Sequence, residues 1–141
     1  MSIHDFLERN DALQFIEISN GKVPDEEFVI LQANENIQTM HAYIIFDNTY
    51  DEDNHTPENI FQHFYWFLNV PVNKDEFICL ITGNHKEGEK YFRFEHEDGK
   101  VMHYFFWGAK KCVWNNKGDQ AHLFKINLPQ LIIDIPPSKN A

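Results

Sequence analysis

A polar run at residues 47–58, DNTYDEDNHTPE, holds the side chains in this sequence that are most able to do chemistry. Closely spaced carboxylates and carboxamides are the ligands of the helix-loop-helix calcium site. A loop of that kind starting at Asp47 reaches Glu58 at its twelfth position. Thr49 then occupies the third position, and Glu52 the sixth, where the sharp turn requires Gly. A solvated acidic loop explains the same residues, so we predict no metal and no other cofactor.

The same run contains paired carboxylates, Asp51 and Asp53, of the type that serves in general acid and base catalysis. Such pairs work when burial or neighbouring charge separates their two pKa values. Here the neighbours are polar residues typical of exposed loops, and they offer no desolvation. We therefore do not predict catalysis at this pair.

Histidine and cysteine provide the other reactive side chains, with 8 His and 2 Cys in the chain. His96 and His103 share one face of a predicted hairpin, but two residues do not complete a zinc site, and hydrogen-bonded core histidines are favoured. Cys112 and His122 lack the local signature of a nucleophile and its base, and Cys79 lies in an apolar strand pattern. No phosphate loop or hydrolase motif is present, so we predict no catalytic residues and a protein that is not an enzyme.

Charge is distributed unevenly along the chain, which carries a formal net charge of −10. Residues 1–70 contain 13 Asp and Glu against Arg9 and Lys22, whereas residues 71–141 are close to neutral with 9 acids and 10 bases. A negative field repels nucleic-acid backbones and anionic membranes and concentrates cationic partners. The composition therefore disfavours direct binding to nucleic acid or to a membrane.

The elements that must position these residues are mostly strands. Ser2 with Asp5 indicates a short N-terminal helix to about Asn10. Thr56 as cap and Pro57 at the first helical position predict an aromatic-rich helix that ends at Pro71. Period-2 patterns predict strands in LQFIEIS, EFVILQA, MHAYIIFD, EFICLIT, QAHLFKINL and LIIDI.

A hairpin is predicted at residues 90–108, with Asp98-Gly99 as its two-residue turn. This turn sets Glu97 opposite Lys100. The core face then carries Phe92, Phe94, His96, Val101, His103, Phe105 and Trp107. The other face carries Tyr91, Arg93, Glu95, Glu97, Lys100, Met102, Tyr104 and Phe106.

Together these elements predict an α+β fold: one curved, mostly antiparallel sheet of about six to eight strands, with the aromatic-rich helix packed on a face and a short N-terminal helix. Residues 1–135 are expected to form a single globular domain, and residues 136–141 a C-terminal tail. The N-terminus lacks a secretory pattern, and no segment approaches the roughly 20 apolar residues of a membrane helix. We therefore expect a cytoplasmic protein.

Two acidic runs are the predicted partner-binding surface. Crowded like charges cost folding stability, and a positively charged partner would relieve that repulsion. The predicted residues are Asp47, Tyr50, Asp51, Glu52, Asp53 and Glu58 in the first run and Asp25, Glu26 and Glu27 in the second. Tyr50 is the type of amphipathic side chain that anchors an interface.

In size, acidity, aromatic content and lack of catalytic motifs, the chain resembles the immunity proteins that bacteria pair with toxins delivered to neighbouring cells, including those of contact-dependent growth inhibition systems. No motif is shared, so no residue role is carried over. The resemblance implies an antitoxin that binds a basic toxin, with a nuclease as the expected partner because nuclease grooves present Lys and Arg to phosphate.

Two alternatives belong to other classes of protein. A small-ligand carrier or enzyme would use an aromatic cavity between helix and sheet, lined by Phe61, Phe64, Tyr65, Trp66, Trp107 and Trp114. An oligomeric subunit would self-associate through the hairpin face that carries Tyr91, Tyr104 and Phe106.

Overall fold

A computed structural model describes residues 12–47, 64–114, 121–126 and 136–137. Within these ranges the chain forms strands and two 3₁₀ turns, Pro24–Glu26 and Met40–Ala42. The strands are β1 (Leu13–Ser19), β2 (Phe28–Ala33), β3 (Tyr43–Phe46), β4 (Phe64–Trp66), β5 (Phe77–Ile81), β6 (Tyr91–Glu95), β7 (Val101–Phe106) and β8 (His122–Lys125).

The larger sheet has five strands in the order β1-β2-β5-β7-β6. Adjacent strands in this sheet pair antiparallel, except for β5 and β7, which pair parallel. The parallel pair arises because β7 returns from the β6 hairpin into the place between β6 and β5. A β-bulge between Phe15 and Glu17 interrupts the pairing of β1 with β2.

The smaller sheet has three antiparallel strands in the order β4-β3-β8. One core cluster joins the two sheets. Alternate residues of β2, including Val29 and Leu31, face this core, as does Ile45 of β3. Phe67 and Phe105 meet edge to face across the sheets, with ring centroids 5.1 Å apart.

The predicted α+β fold, with one curved sheet and a helix packed on a face, is wrong, because the described strands form two sheets. Within the described ranges no helix is longer than the two 3₁₀ turns, and the part of the predicted aromatic helix that lies there begins as β4, Phe64–Trp66. Consecutive aromatic residues have high strand propensity and expose apolar groups on every side, so their periodicity does not distinguish a helix from a strand. Thr56, Pro57 and the predicted N-terminal helix lie outside the described residues.

Strand prediction was more successful, with β1, β2, β3, β5, β6, β7 and β8 found in the predicted segments. The hairpin register is one residue away from the prediction, because Phe92 pairs with Tyr104 instead of Phe105. The loop has three residues, with Gly99 at φ +85° and Asp98 Oδ1 accepting from the Lys100 N–H at 2.9 Å.

This shift moves every β6 side chain to the opposite face. Tyr91 and Arg93 share the core side with His103, while Phe92 and Phe94 face outward beside Tyr104. The predicted self-association surface therefore loses Tyr91. No helix in the described part of the chain has the length and apolar character that crossing a membrane demands.

Candidate partner-binding site

The first acidic run lies in the connection between two neighbouring strands. Residues 47–63 join β3 to β4, and Phe46 pairs directly with Phe64. The two ends of this connection are therefore about 5 Å apart at the edge of the small sheet. Tyr50, Asp51, Glu52, Asp53 and Glu58 fall within it and lie outside the described residues.

Ring contacts show at which end of the molecule this connection begins. Phe67 packs on Phe105, and Tyr65 lies 5.7 Å from Trp107 between ring centroids. Residue numbers that fall along β4, from Phe67 to Tyr65, therefore face residue numbers that rise along β7 and beyond it, from Phe105 to Trp107. Phe64, where the connection ends, lies toward the end of the sheet marked by Trp107.

The second acidic run, residues 25–27, lies at that same end. The Pro24–Glu26 turn leads into β2, whose first residue, Phe28, pairs with Ile81. The Trp107 N–H donates to the Ile81 carbonyl at 2.9 Å, which places the turn and Trp107 at one end of the large sheet. The fold therefore places the Pro24–Glu26 turn at the same end of the molecule as Phe46 and Phe64, the strand residues that flank the first acidic run in the sequence.

Asp25 and Glu26 are both exposed on this end. Asp25 Oδ1 accepts from the Asn84 N–H at 3.0 Å. Gly83 is required beneath it, since a Cβ there would lie 1.8 Å from the Asp25 Oδ1 atom. The Asp25 carboxylate is therefore held in place, whereas Glu26 presents an exposed carboxylate.

Glu27 and Asp47 do not contribute to the described surface, because their exposed fractions are 0% and 5%. Glu27 Oε1 accepts from Thr82 Oγ1 at 2.8 Å and from the N–H groups of Val113 and Trp114 at 2.7 and 3.2 Å. Glu27 Oε2 is buried without a hydrogen-bond partner in the described structure. Glu27 thus holds the 112–114 segment against the start of β2.

The described surface of this end carries charges of both signs. Lys110 and Lys111 are exposed and line a cavity of about 480 Å³ in the 107–113 segment. The described surface of this end is therefore mixed in charge, with Asp25, Glu26, Lys110 and Lys111 exposed.

An exposed tryptophan lies close to the connection. Trp66 is 44% exposed and stacks on His41 with ring centroids 4.3 Å apart and planes at 7°. Its Nε1–H donates to the His41 carbonyl at 2.5 Å, and His41 Nδ1 bonds the Phe67 carbonyl at 3.0 Å. The sequence interpretation assigned Trp66 to a cavity. The sequence analysis predicted a helix where β4 lies, so it did not identify Trp66 as exposed. Which residues of a strand are exposed can be predicted only when the register of its pairing is known.

The most connected polar cluster lies at the other end of the large sheet. Tyr91 Oη is 2.7 Å from His103 Nδ1, and His103 Nε2 is 2.9 Å from Glu76 Oε1. Neutral His103 satisfies both contacts when Nε2 carries the hydrogen and Nδ1 accepts from tyrosine. His103 is 2% exposed and hydrogen-bonded, as the sequence favoured, while His96 is exposed.

This cluster has the order of a hydroxyl, histidine and carboxylate triad. Burial raises the pKa of the Tyr91 hydroxyl, which opposes its activation as a nucleophile. The described cavities of about 250 and 480 Å³ are lined by other residues. The geometry therefore supports a structural role that connects β5, β7 and β6.

The remaining chemical candidates also lack a working arrangement. Within the described ranges no three His, Cys, Asp or Glu side chains are grouped to hold a metal. Burial, the Glu27 carboxylate and Glu26 raise the pKa of the Cys112 thiol, so its nucleophilic form is disfavoured. Burial raises the pKa of Cys79 to about 12.

Three of the aromatic residues proposed to line a cavity, Tyr65, Trp107 and Trp114, pack against other aromatic rings. Tyr65 contacts Phe67 and Trp107, and Trp107 lies 6.2 Å from Trp114 between ring centroids. These contacts fill the space between the two sheets. The alternative of a cavity between helix and sheet loses its basis here, because β4 occupies the place of the helix.

Comparison with known proteins supplies no relative. No protein-family model, no curated protein and no solved structure matches this chain. Functional assignment therefore depends on the contacts and charges described above.

Proposed function

We propose that this chain is a protein-binding inhibitor whose acidic end covers a basic site on its partner. Its specific form is an immunity protein that neutralises a basic toxin, with a nuclease as the expected activity, in the bacterial cytoplasm. One observation carries this proposal: the exposed Asp25 and Glu26 lie at the same end of the fold as Phe46 and Phe64, the strand residues between which the first acidic run occurs in the sequence.

Several features of the chain support the proposal. Residues 47–63, which contain five acids, connect two paired strands, and connections between strands commonly carry binding residues. An acidic surface occludes a Lys- and Arg-lined groove, and it also accelerates encounter by about 10–1,000-fold at low salt. Among the described residues, no arrangement of side chains favours catalysis over binding.

The test begins with capture of partners from extracts of the native host, washed first at low and then at high salt, with the retained protein identified by mass spectrometry. Retention of one stoichiometric basic protein supports the proposal. The association rate of this purified partner with the chain is then measured at several ionic strengths.

A triple charge reversal separates the proposed surface from general acidity. Asp51→Lys, Glu52→Lys and Asp53→Lys together should slow association and flatten its salt dependence. The matched control reverses Glu35, Glu95 and Glu97, three exposed acids at the opposite end of the large sheet. Equal effects of both triple variants would show that net charge, and not this surface, governs binding.

A further inference from the structure

Strand β6 forms one edge of the large sheet. Within the described ranges it pairs with β7 on one side, and no strand pairs with it on the other. The pairing with β7 covers five consecutive residues without a register shift. At the opposite edge of the sheet, β1 is interrupted by the bulge between Phe15 and Glu17, and a bulge hinders the addition of a further strand. β6 is therefore the edge of this sheet that is best able to accept another strand.

Alternate backbone groups of β6 point away from β7. Just beyond the strand, the His96 N–H donates to the Lys100 carbonyl at 2.8 Å. Hydrogen-bonded pairs alternate with non-bonded pairs along an antiparallel ladder, so the even-numbered residues of β6 bond to β7. The backbone N–H and C=O groups that point to the free edge are those of Tyr91, Arg93 and Glu95.

The charges along this edge are opposite in sign and two residues apart. Arg93 and Glu95 are both exposed, and their spacing places them on one face of the strand. Arg93 lies 3.9 Å from Glu76 and still keeps 50% of its side chain exposed. Both charges are therefore accessible to a strand that pairs with the edge.

This spacing makes the edge complementary to itself. When a second copy of β6 pairs antiparallel about Phe94, Arg93 of each copy lies directly opposite Glu95 of the other. Phe94, which is 49% exposed, then lies opposite its own copy. Centring the pairing on Arg93 would set two like charges opposite each other, so the charges favour one register.

We infer that two copies of this chain associate through β6, in antiparallel pairing about Phe94, and so join their large sheets across a twofold axis. The inference is independent of the proposed function, because it uses none of the residues assigned to the basic partner. It also differs from the self-association predicted from the sequence. The main-chain groups of the β6 edge make the contact, and the outward face that carries Tyr104 and Phe106 does not.

The test measures the mass of the full chain by sedimentation equilibrium at protein concentrations from about 10 μM to 1 mM, because a contact made by one strand edge is small and weak. We expect the mass to rise with concentration from 16.8 kDa toward twice that value. Arg93→Glu and Glu95→Arg each place like charges in both cross-strand pairs. Each substitution should weaken self-association by about tenfold or more.

A mixture of the two variants tests the register itself. One copy with Arg93→Glu and one copy with Glu95→Arg are complementary at both pairs, so the equimolar mixture should associate within about threefold of the wild type. The matched controls, Lys74→Glu and Glu35→Arg, make the same charge changes at exposed positions outside β6. Each control should change self-association by about twofold or less.

Amide hydrogen exchange of the wild type, followed by NMR, keeps the test independent of folding defects in the variants. Exchange at the Arg93 and Glu95 amides should slow several-fold as the protein concentration rises through the dissociation constant. The Phe92 amide already bonds to β7 and should change less.

Three results would overturn the inference. The first is a chain that stays monomeric at about 1 mM. The second is self-association that both charge reversals leave unchanged, or that the mixture does not restore. The third is protection of the Arg93 and Glu95 amides only after a captured basic partner is added, which would assign the edge to that partner. Failure to capture a basic partner bears on the proposed function alone.

Discussion

Two glutamates occupy equivalent positions at opposite ends of the large sheet. Glu27 directly precedes β2 and Glu76 directly precedes β5, and these neighbouring strands are antiparallel. Each carboxylate ties distant segments to the start of its strand. The two ends differ in how completely those carboxylates are paired.

At the Glu76 end both carboxylate oxygens have partners. Oε1 accepts from the Asn73 N–H at 2.8 Å and from His103 Nε2 at 2.9 Å. Oε2 lies 3.9 Å from Arg93 Nη2. The contacts connect the residues before β5 with β7 and β6.

At the Glu27 end one oxygen receives three donors and the other receives none in the described structure. An unpaired buried polar atom costs about 1–3 kcal/mol. Trp114 Nε1, in the segment that Glu27 holds, is likewise buried without a partner there. The difference teaches that, among the described residues, buried polar atoms are less completely paired at the end assigned to the proposed interface than at the opposite end, which agrees with functional surfaces breaking local rules.

The largest expected effect is that of Glu27→Ala. The substitution leaves the Thr82 hydroxyl and the N–H groups of Val113 and Trp114 buried without their acceptor, and should lower the free energy of unfolding by about 3–5 kcal/mol. Urea denaturation followed by circular dichroism measures this. Glu27→Gln keeps an acceptor oxygen and should cost about 1 kcal/mol. Equal losses in the two variants would contradict the hydrogen-bonding role of Oε1.

A smaller effect is expected at the opposite end from His103→Leu. Both the Tyr91 hydroxyl and the Glu76 carboxylate lose a partner, and the free energy of unfolding should fall by about 2–3 kcal/mol. Tyr91→Phe removes one of the two contacts and should cost about 1 kcal/mol. Hydrogen exchange of the β6 amides, compared between the two variants, checks whether the cluster holds the edge strand; unchanged protection in His103→Leu would rule that out.

Acid sensitivity should distinguish the two glutamates further. Burial alone would raise the pKa of the Glu76 carboxyl, but hydrogen bonds from His103 and Asn73 and the nearby positive charge lower it overall from 4.5. Because the unfolded chain then binds this proton at higher pH, the stabilisation is complete above pH 4.5 and is lost as the pH falls through the lowered value.

Glu76→Gln should therefore be less stable than the wild type at neutral pH and should converge with it in acid. Solvent screens this ion pair, so the difference should be about 0.5–1 kcal/mol. Urea midpoints measured between pH 7 and 3 provide the comparison. A constant difference across that range would show that the Glu76 contacts are not linked to its ionisation.

The strands of the large sheet follow from local patterns, but their arrangement does not. Period-2 alternation located β1, β2, β5 and β7, whereas the parallel pairing of β5 with β7 has no local signal. Asp98-Gly99 fits both a two-residue and a three-residue hairpin loop, and choosing the shorter one reversed the β6 faces.

The candidate site was predictable in composition and not in placement. Both acidic runs are visible in the sequence, but the placement of the Pro24–Glu26 turn at the same end as Phe46 and Phe64 depends on the distant contact of Tyr65 with Trp107. The burial of Glu27 did leave a signal, because it has the same parity as Val29 and Leu31 in the β2 pattern. Neighbouring acids masked that signal, since three consecutive carboxylates are typical of a solvated turn.

The smallest expected effect concerns the thiol beside Glu27. Burial and the Glu27 carboxylate raise the pKa of Cys112, so Glu27→Gln should lower that pKa and accelerate alkylation by iodoacetamide at pH 8 by a few-fold. Cys79, whose pKa burial raises to about 12, is the internal control and should stay unreactive in both proteins. Glu76→Gln provides the matched control at the other end. If it accelerates Cys112 alkylation equally, general loosening of the fold, and not the neighbouring charge, governs the thiol.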